Sequence, residues 1–374
     1  MKKIVFFIEC LEGGGAEKAL TELVENMDKN NYDITVVTES NGEMYTARVA
    51  SASNLRYLVK KCNPERFFHY NLNRLLYRFI NTAPRKLLHK IIIGNKYDIE
   101  VACCEGFATR LIANSTNKNS KKVAFVHTDM QNNHWTGIHY KSFEEELSCY
   151  NKFDTISCVS ESVAEAFRKT FGMTDPVVVN HNPINTNDII AKAQEPLILL
   201  VPDCPQLIGV GRLCAVKAFD RLLRIAKQLK EEGYKFNLQI LGKGEKEQEL
   251  EQYIIENGLS SCVRLIGFQP NPYPYIVNAD FFVCSSLAEG FNTAVVECIV
   301  LETPVITTDC AGMKDAFGKK ECGIICKNSE DALLEAIRNV LDNPHCLNEF
   351  SSNCRERASY FDIKECVKNI ENMF

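Results

Sequence analysis

The sequence predicts an α/β protein built from two parallel, doubly wound sheets. Short runs of Val, Ile, Leu and Phe alternate with amphipathic stretches along the whole chain, and the hydrophobic period switches between 2 and 3.6. Glycine-bearing turns close several of the apolar runs just before a helical pattern begins, which is where open α/β sheets bind ligands. At 374 residues the chain exceeds the roughly 250 to 300 residues at which one core stops growing. Two domains are therefore expected, over 1–185 and 186–354.

The elements follow in order. KIVFFIEC, a helix from about Ala16 to Met27, and DITVVTE form a first βαβ unit. IEVACC, KVAFVH, TISCVS and PVVVN read as further strands. After NHNPIN the pattern weakens over about 185–205, where Pro196, Pro202 and Pro205 mark an interdomain region. QLIGVG opens the second array, followed by NLQILG, VRLIGF, DFFVCSS, PVITTD and GIICK. A strand from Asp280 to Ser286 and a helix from Thr293 to Leu301 bracket EGFNTAVVE, and SYFDIKECVKNIENMF reads as a terminal helix from about Cys354. No repeat of fixed period is visible.

Composition excludes several classes. Hydrophobic residues at 45% and charged residues at 24% are those of a soluble globular chain. A formal charge of -5 gives no footprint for nucleic acid. The 17 cysteines sit mostly inside apolar runs, so they read as small buried hydrophobes in a reducing cytoplasm. No CxxC occurs, and Cys322 and Cys326 lack the second pair or histidines of a zinc site. Glu9 and Glu12 interrupt the first apolar run, which argues against a signal peptide. No segment reaches the roughly 18 apolar residues of a spanning helix.

Three glycine turns carry the candidate chemistry. In EGGGAEK, glycines before a helix, Gly14 and Gly15 among them, let the backbone approach an anion at the helix amino terminus. Lys18 stands where the dinucleotide fingerprint needs its third glycine, which disfavours a nicotinamide enzyme. In GVGRLCAVKAFD, Arg212 and Lys217 follow a strand end and suit a diphosphate, a planar fork beside a point charge. The P-loop signature is absent. LGKGE is a third such turn, and each of the three also reads as a plain tight turn.

These residues together resemble the retaining GT-B glycosyltransferases of family 4. GGAE at 14–17, GVGRL with Lys217, LGKGE, Gly267 with Phe268, and the two glutamates of EGFNTAVVE occur in that family's order. His127 in AFVHTD and Asn182-Pro183-Ile184 are similar to its histidine and hinge-preceding motif. The resemblance covers residues 4 to at least 330. Ala218 departs from it where glycine is common, and Asn292 where a small residue is frequent.

The resemblance implies a fold of two Rossmann-like domains facing an interdomain cleft, with the terminal helix over 355–374 returning to the first. It also implies site roles. Glu297 would accept hydrogen bonds from the ribose diol, and Glu289 would lie by the donor sugar. Gly211, Gly244, Phe268, Gly290, Phe291, Asn292 and Thr293 would line the donor, the last three with backbone N–H groups at a helix start. Arg212 and Lys217 would stabilise the departing diphosphate, so that no metal or other cofactor is needed. His127 would bond the donor sugar or the charge developing near it.

The expected activity is transfer of a hexose or N-acetylhexosamine from a UDP-linked sugar to a hydroxyl of a glycan or lipid-linked glycan. The anomeric configuration would be retained. Two alternatives share the architecture: a nucleotide-sugar 2-epimerase and a non-catalytic nucleotide-sugar-binding protein. A retaining glycosidase would need its carboxylates roughly 5 to 5.5 Å apart, closer than a turn-to-helix offset of eight residues suggests.

Residues 60–96 hold nine Lys or Arg against Glu65 alone. ERFFHYNLNRLLYRFI and LLHKIII interleave these cations with Phe67, Phe68, Tyr70, Leu75, Leu76, Tyr77 and Phe79. Such a stretch suits an anionic membrane surface, or an apolar face turned into the core with its cations solvated. The expected location is the cytoplasm, with the basic stretch against the inner face of a membrane.

Overall fold

The computed structural model describes residues 1–60, 67–197 and 203–374, with side chains omitted for residues 67–72. The chain divides into two compact units. Unit 1 holds Met1–Ile184 and Ile363–Phe374, and unit 2 holds Asn185–Asp362.

Unit 1 is built on seven strands: β1 (Lys2–Ile8), β2 (Tyr32–Ser40), β3 (Asn54–Val59), β4 (Ile99–Ala102), β5 (Lys121–Val126), β6 (Thr155–Cys158) and β7 (Val177–Val179). They lie in the order β3-β2-β1-β4-β5-β6-β7, and every neighbouring pair is parallel. Parallel strands are covered by helices on both faces, so central ones read as continuous apolar runs. β1 shows this, with Ile4 to Ile8 at most 1% exposed. The helix Gly15–Asn26 sends Leu20, Leu23 and Val24 into the core on one face of the sheet.

The last segment of the chain completes that core. Val367, Ile370 and Phe374 join it, the Phe374 ring meets Phe6 edge-on at 5.8 Å, and Lys2 Nζ donates to the Phe374 carbonyl at 2.9 Å.

Unit 2 holds β8 (Gln206–Val210), β9 (Asn237–Leu241), β10 (Val263–Gly267), β11 (Phe281–Cys284), β12 (Val305–Thr308) and β13 (Gly323–Cys326). Their order is β10-β9-β8-β11-β12-β13, again all parallel. In both sheets the strand order reverses once, between β1 and β4 in unit 1 and between β8 and β11 in unit 2. Those two switch points are the places where a doubly wound sheet leaves a crevice for a ligand.

The fold class is the expected one, and three elements differ from the reading. β3 was not expected: at the sheet edge, NLRYLV buries only Val59 fully, so its apolar signal is weak. The helix Thr186–Ala193 lies in the stretch where the pattern weakens, capped by the Asn185 side chain, which accepts from the Asp188 N–H at 3.1 Å. Residues 198–202 of that stretch lie outside the described residues. The terminal helix over 355–374 is instead two helices, Cys346–Ala358 and Ile363–Glu371, and only residues from Ile363 onward belong to unit 1. Backbone bonds from Tyr360 and Phe361 back to Arg357 and Ala358 turn the chain between them.

The described cysteines are free thiols, none of them exposed. Among the described residues no helix is long and apolar enough to cross a membrane.

Candidate functional site

In unit 2 the site grows out of the loops after β8 and β11. The loop after β8 is locked to that after β9. Gly211 N–H donates to Leu241 O at 3.0 Å, Leu213 N–H to Lys243 O at 2.9 Å, and Lys246 N–H to Leu213 O at 3.0 Å. A Cβ on Gly244 would lie 2.2 Å from the Leu213 carbonyl oxygen, and one on Gly242 1.9 Å from that of Gly211. These glycines thus allow two backbones to touch. The chain then makes a short 3-10 turn, Ala215–Lys217, and enters the helix Phe219–Glu231 through Ala218, which has φ 48° and ψ 45°. That left-handed conformation is one that glycine adopts without the steric cost of a Cβ.

Lys217 reaches across to the loop after β11. Its ammonium donates to Glu289 Oε1 at 2.6 Å. The same oxygen accepts from Ser286 Oγ at 2.5 Å and from Asn292 Nδ2 at 3.1 Å. Asn292 also caps the helix Thr293–Val300, its side-chain oxygen accepting from Val295 N–H at 3.3 Å. One side chain therefore starts the helix and orients the carboxylate. Burial pulls the Lys217 pKa down, but the Glu289 charge and hydrogen bond outweigh it and hold the ammonium above its ordinary value. Lys217 is a cation at neutral pH.

The remaining residues expected in this unit fall around that pair. Phe291 and Asn292 are buried in the turn and Thr293 opens the helix. Gly290 packs its carbonyl against Gly312, where a Cβ would lie 2.1 Å away. Glu297 is one turn inside the helix and 6% exposed. Arg212 is exposed at the loop after β8, where its carbonyl accepts from Cys214 N–H at 2.9 Å. Phe268 follows β10 and is 43% exposed.

Unit 1 carries its own polar cluster at the β1/β4 switch point and the neighbouring strand end. Gly14 occupies the cap position before the helix Gly15–Asn26 and supplies no side-chain cap. His127 lies at the end of β5. Its Nε2 donates to the Cys103 carbonyl at 3.1 Å, and burial pulls its pKa below the ordinary value against the opposing charge of Glu105. The ring is therefore neutral at neutral pH, with the lone pair on Nδ1. It lines a small apolar cavity with Ala16, Phe125 and Asn182.

Three residues of these sites escaped the sequence reading: Glu9, Glu105 and Ser286. Glu105 Oε1 accepts from the backbone N–H groups of His127 and Thr128 at 2.6 and 2.7 Å, holding the strand end that carries the histidine. A signal for it was present. Glu-Gly-Phe occurs at 105–107 and again at 289–291, after the fourth strand of each unit. Glu9, just past β1, accepts from Ala108 N–H at 3.0 Å, and burial pushes its carboxyl up to about 7. Among the described residues no cluster of His, Cys, Asp or Glu is arranged to hold a metal ion.

Comparison with known proteins places this geometry in context. Residues 198–359 match the family model for glycosyl transferases group 1, and residues 13–188 match that for glycosyltransferase family 4. The chain is 26% identical over 373 residues to the N-acetylgalactosamine-N,N'-diacetylbacillosaminyl-diphospho-undecaprenol 4-alpha-N-acetylgalactosaminyltransferase of Campylobacter jejuni, covering 97% of this chain and 96% of that one. Among solved structures, HepE of Anabaena in complex with UDP-glucose superimposes with a TM-score of 0.77 at 19% identity, covering 100% of this chain and 99% of that one. A variant of S. aureus TarM in complex with fondaparinux, alpha-GlcNAc-glycerol and UDP gives 0.72 at 14% identity, covering 100% and 99%. At these identities the structural likeness speaks to the fold.

Proposed function

We propose, for a chain that is a GT-B glycosyltransferase of the group 1 and family 4 kind, that it moves a hexose or N-acetylhexosamine from a UDP-linked sugar. The acceptor is a hydroxyl of a glycan or lipid-linked glycan, in the synthesis of surface polysaccharide or glycoconjugate. The observation that carries this reading is the Lys217–Glu289 pair at the β8/β11 switch point. A residue suited to phosphate and a residue suited to sugar hydroxyls meet there, as the junction of a nucleotide-sugar requires.

The roles follow from the donor and acceptor inventory of each side chain. Glu289 has one oxygen occupied by three donors, and its other oxygen is assigned to a hydroxyl of the donor sugar. Glu297, in the helix that follows, is assigned to the ribose diol. Lys217 and the exposed Arg212 stabilise the nucleoside diphosphate as negative charge develops on it, which accelerates the step without a metal. The glycosidic bond to phosphate breaks through an oxocarbenium-like state. The acceptor oxygen bonds to the anomeric carbon on the same face and passes its proton to the leaving phosphate oxygen, so configuration is retained. In unit 1, His127 offers the Nδ1 lone pair to a sugar hydroxyl.

A lipid-linked acceptor is supported by the surface of unit 1. The helices Phe67–Thr82 and Arg85–Ile92 expose Leu75 (64%), Phe79, Leu87 and Ile91 (58%), beside exposed Arg74, Arg78, Lys86 and Lys90. Ile80, Leu88 and Ile92 are buried, so these helices have an inner apolar face and a second, outward one. Apolar side chains among cations suit peripheral contact with anionic lipid. Lys61, Arg66 and the side chains of Phe67, Phe68 and Tyr70 lie outside the described residues. The Campylobacter relative is named for an undecaprenol-linked diphosphate acceptor, which fits the same reading.

Calorimetric titration with UDP-glucose, UDP-galactose, UDP-N-acetylglucosamine and GDP-mannose in EDTA tests the donor assignment. Binding of a UDP-sugar that weakens in Glu297→Ala is expected, and a chain that binds no member of the panel would contradict it.

A further inference from the structure

We infer that Arg221 is a positioning residue for the reaction, fixing the Lys217–Glu289 pair through Ser285, Ser286 and Leu287 in the loop after β11. This rests on the donor-site reading above and assigns a new part to it.

Arg221 lies in the first turn of the helix Phe219–Glu231 and is 5% exposed. A buried guanidinium normally has a carboxylate partner, because the desolvation of an unpaired charge is costly. Arg221 forms no ion pair with any described carboxylate. Its Nη2 donates to the carbonyls of Ser285 and Ser286, the latter at 3.0 Å, and its Nη1 donates to Asn328 Oδ1 at 3.0 Å. Its Nε is buried without a partner. A cation in the first turn of a helix also opposes the helix dipole. The fold retains a charge that is unfavourable by desolvation and by dipole, and spends its donors on one short loop segment.

That segment is clamped from several elements. The Ser286 carbonyl also accepts from Thr308 Oγ1 at 2.7 Å, at the end of β12, and from Cys310 Sγ at 3.3 Å. The Leu287 carbonyl accepts from Asn328 Nδ2 at 2.8 Å, the same amide whose oxygen holds Arg221. Leu287 N–H donates to Val216 O at 2.8 Å.

From this clamped segment two side chains reach the pair. Ser285 Oγ donates to the Lys217 carbonyl at 2.9 Å, and Ser286 Oγ donates to Glu289 Oε1 at 2.5 Å. Arg221 thus stands one residue removed from both Lys217 and Glu289. Its planar fork can hold two adjacent carbonyls and an amide at fixed angles, which a lysine ammonium cannot.

The test compares Arg221→Lys with the unmodified chain, alone and in a Glu289→Gln background, using UDP-sugar turnover and donor titration. Arg221→Lys is expected to lower kcat by about 10- to 100-fold, the scale of a small misplacement of catalytic groups, while donor Kd changes by less than about threefold. In the Glu289→Gln background the same substitution should cost less than about threefold, because both changes act through one carboxylate. A kcat within twofold of the unmodified chain, or an equal loss in both backgrounds, overturns the inference. Asn328→Ala frees one end of the fork and tests the same coupling should Arg221→Lys fail to fold; an additive effect with Glu289→Gln overturns it equally. If Glu289→Gln alone leaves kcat unchanged, the role given to Glu289 falls instead.

Discussion

The Lys217 ammonium lies 2.6 Å from Glu289 Oε1, across 72 residues of sequence and from the opposite side of the β8/β11 switch point. Two residues singled out for the diphosphate and for the sugar of a nucleotide-sugar are therefore one ion pair. Under the proposed function, a donor entering here would meet a cation for its phosphate and a carboxylate for its sugar at the bond that breaks. Lys217→Ala is expected to lower kcat for sugar transfer by about 10²- to 10³-fold, the scale of losing one group that stabilises developing charge. Steady-state kinetics checks it, and the donor Kd should change far less than kcat.

Glu297 is expected to act on binding. A carboxylate accepting from a ribose diol contributes about 1.5 to 3 kcal/mol per charged hydrogen bond, so Glu297→Ala should raise the UDP-sugar Kd by about tenfold or more. Competition by UDP alone reads the same loss, since the ribose belongs to the nucleotide.

Ala218 is held at φ 48°, in the left-handed region that costs a residue with a Cβ about 1 to 2 kcal/mol. Ala218→Gly relieves this at the price of greater backbone freedom in the unfolded chain. The net expectation is a gain of about 0.5 to 1 kcal/mol, read as a rise of about 1 to 3 °C in the Tm of the full chain.

The carboxyl of Glu9 is raised by burial, with Glu39 and Glu105 adding to it, from an ordinary 4.5 to about 7. A carboxyl that holds its proton longer in the fold than in the unfolded chain stabilises the fold fully below the lower value. That stabilisation is lost as pH rises through the upper one. Glu9→Gln removes this dependence. Between pH 5 and pH 8 the variant should therefore gain on the unmodified chain by on the order of 2 kcal/mol. Denaturant unfolding at both pH values measures the difference.

Membrane contact is expected to depend on both charge and apolar exposure. Vesicles with anionic lipid should co-sediment the protein at low salt and release it as salt rises. Leu75→Ser with Phe79→Ser should weaken binding even at low salt. Retention on neutral vesicles at the same level as on anionic ones would contradict the electrostatic part.

How far the sequence could be read depended on what each element buries. β1, β8 and β11 are covered on both faces and announce themselves as unbroken apolar runs, whereas the edge strand β3 carries Arg56 and exposed Tyr57 and does not. Lys217, Glu289 and Asn292 were visible because glycine turns and a helix start frame them. Arg221 was not, because FDRLLRIAKQLKE is an ordinary amphipathic pattern in which Arg221 and Arg224 look alike. Only packing separates them, with Arg221 in the interior and the Arg224 side chain 44% exposed. Ser286 was hidden for a similar reason, since one serine at a strand end does not declare a bond to a carboxylate three residues on.

The central claim, that the Lys217–Glu289 pair works on a nucleotide-sugar, is tested most directly by UDP release from the UDP-sugar panel in EDTA, comparing the unmodified chain with Glu289→Ala. Release from one donor, reduced at least about 100-fold in the variant, is the predicted result. Release that survives unchanged in Glu289→Ala, or that appears only when a divalent metal is added, would contradict it.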